Sequence, residues 1–188
     1  MNTPAATLDD YRAGHAALLD HYVTLARDLT DDQMAVTSLC PEWNVRDVIT
    51  HILTVEAVLD GWQPSLDLPP FAEVGSLTRE LDALDRDAFA ARAGEIVASR
   101  LADLDGRDPA VIETPSFTPT GPATYGRFLQ VRTFDHWVHA RDISRPLGLA
   151  APAPDGFAAH TAVAEVAAAI GYIVVKKIGL PDGHSIVF

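Results

Sequence analysis

Basic residues, cysteines and long apolar runs are all scarce in this chain of 188 residues. Lys and Arg total 14 against 26 Asp and Glu, and the resulting net charge of -12 repels phosphate groups and anionic lipid headgroups. The single cysteine, Cys40, excludes an internal disulfide and an all-cysteine zinc site. These scarcities argue against a protein that binds nucleic acid or a membrane, and against a disulfide-stabilised secreted domain.

The sequence shows neither a targeting segment nor a membrane span. The N-terminus lacks the basic start and apolar core of a signal peptide. The most apolar stretch, residues 157–175, is interrupted by His160, Thr161 and Glu165, which does not fit a membrane span. We therefore expect a cytoplasmic protein that acts on small molecules, and a homodimer is compatible with these features.

Apolar residues recur at helical spacing along most of the chain, and period-two alternation is almost absent. Thr7 with Asp10, and Asn44 with Asp47, have the spacing of capping boxes. The proline-rich segment 106–122 is predicted to be a long crossover. Five helices are predicted, over residues 8–29, 44–62, 76–104, 124–145 and 155–177. The predicted fold class is therefore mainly α, a four-helix bundle with a long crossover.

Local residues also predict where elements end. Residues 30–32 form a polar break after the first helix, and Pro146 and Gly148 are predicted to end the fourth. Residues 179–188 indicate a turn and one strand, which cannot be stable alone. Either this strand packs on the bundle edge, or it begins a β-containing domain. We therefore divide the chain into a bundle over residues 1–178 and a terminal segment over residues 179–188.

The fourth predicted helix carries the most informative acid–histidine pair. Asp135 and His139 are four residues apart, so both side chains lie on one helix face and can bind one ion. Arg132 falls on the same face, within about 60° of arc. A catalytic zinc site needs a third protein ligand, and His51, in the middle of an apolar helix, is the best candidate. If this hypothesis holds, His51 and His139 must converge although they are far apart in sequence.

Each of these residues also has a purely structural interpretation. A histidine on an apolar helix face is more often a hydrogen-bonded core residue than a ligand, and acid–histidine pairs often only stabilise a helix surface. Asp142 either orients a ligand histidine or pairs with Arg141 or Arg145 in solvent. Cys40 is interpreted as a small buried hydrophobe rather than a nucleophile, because no basic residue lies near it in sequence. Four further histidines show no paired spacing and are interpreted as structural: His15, His21, His160 and His184.

Two segments resemble the motifs of one known family. Residues 40–51, CPEWNVRDVITH, are similar to the pattern C-P-x-W-(S/T/N)-V-x-D-(L/V)-x-x-H of the mycothiol-dependent maleylpyruvate isomerase family. Residues 132–143, RTFDHWVHARDI, are similar to the second motif of that family, R-x-x-(D/E)-x-W-x-H-x-x-D-(I/L). The family belongs to the wider DinB/YfiT-like metalloprotein superfamily. The resemblance extends over most of residues 8–178.

The resemblance implies a DinB-like four-helix bundle that holds a divalent metal ion, usually zinc. The ligands that it implies are His51, Asp135 and His139, the same residues that the spacing favours. The isomerase that names the family has Glu at the position of Asp135, and the shorter side chain should bring the metal closer to the fourth helix. Members that isomerise maleylpyruvate also carry a C-terminal α/β domain, and this chain stops at Phe188, where that domain would begin.

The resemblance further implies thiol chemistry with mycothiol as co-substrate. The metal converts the thiol to a thiolate, whose addition to a carbon turns a cis double bond into a rotatable single bond before elimination restores it as trans. Displacement of a leaving group would instead give a transferase. Arg132 is interpreted as a contact for the substrate carboxylate or as a salt-bridge partner. The alternatives are a metal-dependent hydrolase and a non-catalytic protein that binds metal or a small molecule.

Overall fold

The structure is a computed structural model that describes residues 6–174, 179, 181 and 183–185. Two short strands, β1 (Pro115–Ser116) and β2 (Ala123–Thr124), pair in antiparallel orientation. The helices in the described residues are α1 (Leu8–Asp28), α2 (Asp31–Met34), α3 (Val45–Leu59), α4 (Val74–Asp82), α5 (Arg86–Asp105), α6 (Tyr125–Leu147) and α7 (Gly156–Tyr172). The predicted helical fold is therefore confirmed. None of the described helices is both long enough and apolar enough to cross a membrane.

Four long helices, α1, α3, α5 and α6, form the bundle. Helices α1 and α3 each pack against α5 and α6, and α7 packs on the outside against α6 and α1. Large apolar side chains such as Tyr22, Ile49, Ile52 and Phe89 are completely buried between these helices. Each such side chain stabilises the fold by about 2 kcal/mol relative to leaving it in water. The apolar core therefore contains side chains from all four helices of the bundle.

The two predicted capping boxes are both formed. Thr7 accepts the backbone N–H of Asp10, whose carboxylate accepts the backbone N–H of Thr7. Asn44 and Asp47 make the same reciprocal pair at the start of α3. Caps of this kind contribute about 1 kcal/mol each and fix the residue at which a helix begins. The second box thereby sets the position of His51 along α3.

The prediction of one helix over residues 76–104 is wrong, because α4 and α5 are separate elements. Asp85 caps α5 by accepting a backbone N–H of its first turn at 2.9 Å. At the end of α4, Arg46 donates to the carbonyls of Leu81 at 2.9 Å and Leu84 at 2.7 Å. Since Arg46 belongs to α3, tertiary packing supplies the donors that terminate α4.

The predictions for the segments between and after the long helices are confirmed only in part. Residues 30–32 are not simply a break, because Thr30 and Gln33 form a capping box that starts the short helix α2. The crossover 106–122 contains part of the β1–β2 pair, which we had not predicted there. The predicted turn and strand over residues 179–188, and the predicted helix end at residues 176–177, lie mostly outside the described residues.

Helix α6 continues through Pro146, so the prediction that this proline ends the helix is wrong. Gly148 ends the helix, as predicted, in the left-handed conformation with φ of 66° that glycine adopts readily. Pro146 has no N–H to donate to the carbonyl of Asp142 four residues earlier. That carbonyl accepts the N–H of Leu39 at 3.1 Å instead. The proline thus leaves an acceptor that anchors the loop carrying Cys40 against α6.

Candidate metal centre

Three side chains from two helices converge at one edge of the bundle. His51 comes from α3, and Asp135 and His139 come from α6; their potential ligand atoms all lie within 4.8 Å of one another. The Nε2 atom of His51 is 3.6 Å from Oδ2 of Asp135, and Nε2 of His139 is 3.5 Å from Oδ1 of Asp135. The predicted convergence of His51 and His139 is present in the structure.

The three residues are accessible enough to meet an exogenous ligand. The side chain of His51 is 29% exposed, so His51 is not the fully buried core histidine of the alternative interpretation. The ring centroid of Trp43 lies 5.2 Å from that of His51 and 6.3 Å from that of His139, and its indole forms one wall of the site. Two imidazoles and one carboxylate are a donor set that zinc accepts, with a position left for a further ligand.

Asp142 and Asp135 contact different ring nitrogens of His139. Oδ2 of Asp142 is 3.0 Å from Nδ1 of His139, and Asp142 makes no ion pair with Arg141 or Arg145 in the part of the chain that the structure describes. Burial alone would lower the pKa of His139, but hydrogen bonds and charges from Asp135 and Asp142 raise it above its ordinary value. An Nδ1–H that donates to Asp142 makes Nε2 the nitrogen of His139 that a metal ion would coordinate.

Cys40 also reaches this cluster, which sequence proximity could not show. Its Sγ donates to Oδ2 of Asp142 at 3.2 Å and lies 3.5 Å from Nδ1 of His139. Burial and the bond to Asp142 raise the pKa of the Cys40 thiol to about 11, so the thiol is protonated at neutral pH. Cys40 packs against the apolar core as predicted, and its thiol also contacts the polar groups of the site. Cys40, His139 and Asp142 form a second group of potential metal ligands that shares His139 with the first.

A chain of buried charges continues from Asp135 into the core. Arg132 donates from Nη1 to Oδ2 of Asp135 at 2.7 Å, and its Nε and Nη2 contact Oε1 of Glu56 at 2.9 and 2.7 Å. The carboxylate of Glu56 is fully buried and also contacts Arg100 and His136, each at 2.9 Å. Arg132 is 8% exposed. Of the two interpretations of Arg132, a substrate contact or a salt-bridge partner, the structure shows salt bridges, to Glu56 and Asp135.

The buried arginines keep the carboxylates of Glu56 and Asp135 ionised. Burial alone would raise the pKa of Glu56, but the charges of Arg132 and Arg100 and a hydrogen bond from His136 hold it well below its ordinary value. Burial would likewise raise the pKa of Asp135, but Arg132 and hydrogen bonds from the two site histidines lower it well below the ordinary value. Asp135 therefore presents a full negative charge to the site at neutral pH.

Sequence reasoning missed Glu56, Arg100 and His136. A signal for Glu56 was present, because a carboxylate within the apolar run of α3 needs a partner if it is buried. No local signal existed for Arg100, whose contact with Glu56 joins residues 44 positions apart on different helices. His136 lies beside the predicted ligand Asp135, but its side chain faces the core rather than the site.

The protein is a helical bundle in which two histidines and an aspartate from two helices form a group of potential metal ligands. The sequence model described as the mycothiol maleylpyruvate isomerase N-terminal domain matches residues 15–144, a span that includes His51, Asp135 and His139. The chain belongs to this family. The resemblance inferred from the two motifs is thereby confirmed.

Two solved structures share the fold of this chain. One is the mycothiol-dependent maleylpyruvate isomerase, with 17% identity and a TM-score of 0.59, and the match covers 72% of this chain and 60% of that chain. The other is a histidine-to-alanine mutant of the mycothiol-dependent maleylpyruvate isomerase, with 16% identity, a TM-score of 0.58 and the same coverage. The chain thus spans about 60% of the length of these solved relatives. No curated protein sequence matches it significantly.

Proposed function

We propose that His51, Asp135 and His139 bind a divalent metal ion, zinc, and that the protein activates a low-molecular-weight thiol such as mycothiol. The reaction would be an isomerisation or an S-transfer on a small electrophilic acid. One observation carries the proposal: three side chains of the zinc-binding types meet within 4.8 Å, in a chain that belongs to the mycothiol maleylpyruvate isomerase family. Mycothiol is the thiol on which the solved relatives depend.

The donor set fits a zinc ion that keeps one position open. Zinc bound there would lower the pKa of a coordinated thiol and so supply a thiolate near neutral pH. The chain offers no competing thiolate of its own, because the pKa of Cys40 is raised and its S–H is donated to Asp142.

The residues around the ligands have positioning tasks in this proposal. Asp142 holds the proton on Nδ1 of His139 and thereby directs Nε2 toward the ion. Arg132, itself held by Glu56, fixes the carboxylate of Asp135. In this assignment Arg132 positions a ligand instead of contacting the substrate.

Metal binding is tested by zinc titration and by thermal unfolding with and without chelator. We expect zinc to bind the wild type, and chelation of the zinc-loaded protein at neutral pH to lower its Tm. His139→Ala should remove most of this chelator sensitivity. Asp135→Asn should weaken binding less, because the amide oxygen can still reach the ion without its charge. His160→Ala, at an exposed position on α7, is the matched control and should behave as the wild type. Zinc binding by His139→Ala as tight as that of the wild type would contradict the proposal.

Thiol activation is tested on cobalt-substituted protein. Addition of mycothiol should produce a thiolate-to-cobalt absorption band that an alcohol analogue does not produce. Turnover of an ester or amide without any thiol would favour the hydrolase instead. Zinc binding with neither a thiol band nor turnover would favour the non-catalytic binding protein.

A further inference from the structure

Cys40 is the only cysteine of the chain, and its thiol lies against two groups of types that bind metals. Sγ of Cys40 is 3.5 Å from Nδ1 of His139 and 3.2 Å from Oδ2 of Asp142, and the last two atoms are 3.0 Å apart. The nitrogen in this group is Nδ1, whereas Nε2 of His139 faces Asp135 in the candidate metal centre. Zinc and softer ions accept a donor set of thiolate, imidazole and carboxylate.

The separations of these three atoms are close to those that one ion requires. Tetrahedral coordination at bond lengths of about 2.0–2.3 Å places neighbouring ligand atoms about 3.4–3.6 Å apart. The distance from Sγ of Cys40 to Nδ1 of His139 already has this value. The two shorter distances both involve Oδ2 of Asp142, so an outward movement of this one atom by about 0.4 Å would make room for an ion.

The loop that carries Cys40 is fixed to the helix that carries the other two residues. The backbone N–H of Leu39 donates to the carbonyl of Asp142 at 3.1 Å, and the backbone N–H of Cys40 donates to Oγ of Ser38 at 3.0 Å. The side chains of His139 and Asp142 are 16% and 17% exposed, and Cys40 is partly exposed. The three residues are therefore held together before an ion arrives, and an ion can reach them from solvent.

One divalent ion would replace two hydrogen-bonding protons at Oδ2 of Asp142. The Cys40 thiol donates one of them, and Nδ1–H of His139 donates the other. Coordination releases the thiol proton to solvent and moves the imidazole proton to Nε2, where Oδ1 of Asp135, at 3.5 Å, can accept it. The charges of the thiolate, the carboxylate and the dication then sum to zero. In the described part of the chain no arginine or lysine pairs with Asp142, so no side-chain cation competes for this carboxylate.

His139 cannot serve this group and the candidate metal centre together as a neutral imidazole. Its nitrogens face different carboxylates, Asp142 at Nδ1 and Asp135 at Nε2. A neutral imidazole carries a proton on one nitrogen and a lone pair on the other, so only one nitrogen can coordinate an ion. An ion beside Cys40 therefore withdraws His139 from His51 and Asp135.

We propose that Cys40, His139 and Asp142 form a second metal site, which binds a thiophilic divalent ion such as Cd²⁺ and thereby excludes metal from the candidate metal centre. Soft ions favour thiolate ligands, which the group of His51, Asp135 and His139 lacks. Occupation of the second site leaves the candidate metal centre with two ligands and stops any reaction that needs its ion. Only this consequence rests on the proposed function.

The test is a titration of the metal-free protein with Cd²⁺, followed by ultraviolet absorption and by NMR of ¹⁵N-labelled histidines. Because the chain has one cysteine, a thiolate-to-cadmium charge-transfer band reports on Cys40 alone. We expect a band that saturates at an equimolar amount of Cd²⁺, and a His139 side chain that carries its proton on Nε2. Absence of the band, or a proton that remains on Nδ1, would overturn the proposal.

Variants show whether the thiol binds the ion with two partners or alone. His139→Ala and Asp142→Asn should each weaken Cd²⁺ binding about tenfold or more, because one loses a ligand and the other its charge. Cys40→Ser should abolish the band. His160→Ala and Asp20→Asn, both at exposed positions, are the matched controls and should bind Cd²⁺ as the wild type does. Unchanged affinity in either His139→Ala or Asp142→Asn would indicate a single reactive thiol and overturn the proposal.

His51→Ala separates this inference from the proposed function. It removes a ligand of the candidate metal centre but none of the second site, so the cadmium band should keep its affinity while zinc coordination through Nε2 of His139 is lost. Zinc binding that depends on His51, in a protein without a cadmium band, would overturn this inference alone. A cadmium band that depends on His139, with zinc binding unaffected by His51→Ala, would overturn the metal proposal alone.

Discussion

The carboxylate of Glu56 is the shared partner of three buried side chains in the bundle. Arg100 from α5, and Arg132 and His136 from α6, all contact its carboxylate in the absence of solvent. Such ion pairs contribute little net stability, because desolvation of the charges offsets their attraction. Removal of one partner is costly, however, because it leaves the others charged and unpaired. Because Arg132 also contacts Asp135, the loss of Glu56 would change the surroundings of the candidate metal centre as well.

We therefore expect Glu56→Ala to destabilise the protein by about 3–5 kcal/mol in urea unfolding. Glu56→Gln should cost less stability, but it should lower zinc affinity, because Arg132 would no longer be held against Asp135. Glu95→Gln, an exposed glutamate paired with Arg92, is the control and should change stability by no more than about 0.5 kcal/mol. Zinc affinity unchanged in Glu56→Gln would argue against a positioning role for Arg132.

The separation of α4 from α5 depends on an arginine of a third helix. The last carbonyls of a helix have no partner within it, and Arg46 donates to that of Leu81 in α4 and to that of Leu84 in the connection to α5. Its guanidinium also lies 4.2 Å from the ring centroid of Phe89 on α5. Helix α4 lines a cavity of about 250 Å³ beside His51, and Arg46 connects the end of this helix to α3.

Arg46→Ala should destabilise the protein by about 2–3 kcal/mol, since hydrogen bonds from a charged donor are lost. Hydrogen exchange should accelerate at the end of α4 and the start of α5 more than elsewhere in the bundle. Arg46→Lys should restore part of the stability because it keeps one donor near the carbonyls. Arg79→Ala, at an exposed position on α4, is the control. Uniform acceleration of exchange throughout the bundle would show that Arg46 has no local role at this junction.

The core of the bundle contains two completely buried histidines, His15 and His136, in addition to its apolar side chains. His15 is completely buried, with Nε2 at 3.1 Å from Oγ1 of Thr133. Burial and the neighbouring His136 lower the pKa of His15 to about 3. Burial also lowers the pKa of His136, although Glu56 opposes that shift. The folded protein therefore excludes protons that the unfolded chain would bind.

This difference predicts a loss of stability in acid. The unfolded chain binds a proton at His15 near pH 6.5, whereas the folded protein does so near pH 3, so the free energy of unfolding falls as pH decreases between these values. The loss from His15 alone is on the order of 5 kcal/mol. His15→Gln should reduce the pH dependence of urea unfolding, while His160→Gln, at an exposed position, should keep that of the wild type. Equal pH dependence in all three proteins would contradict the prediction.

The sequence by itself determined those features that depend on residues three or four positions apart. The capping boxes at Thr7 and Asn44 are formed as predicted, and the spacing of Asp135 and His139 places both on one face of α6. The position of His51 within an apolar helix added it to that pair, and the motifs at residues 40–51 and 132–143 identified the family, which is confirmed. The role of these residues as metal ligands stays a prediction.

Only the tertiary structure decided the features that join distant parts of the chain. The end of α4 depends on Arg46, and the Cys40 thiol meets Asp142 across 102 positions. Pro146 does not end α6, because packing retains the last turn and Leu39 satisfies the freed carbonyl of Asp142. Local patterns report hydrogen bonds within one or two turns, whereas burial of Glu56 against Arg100 and Arg132 is stable only when three helices meet.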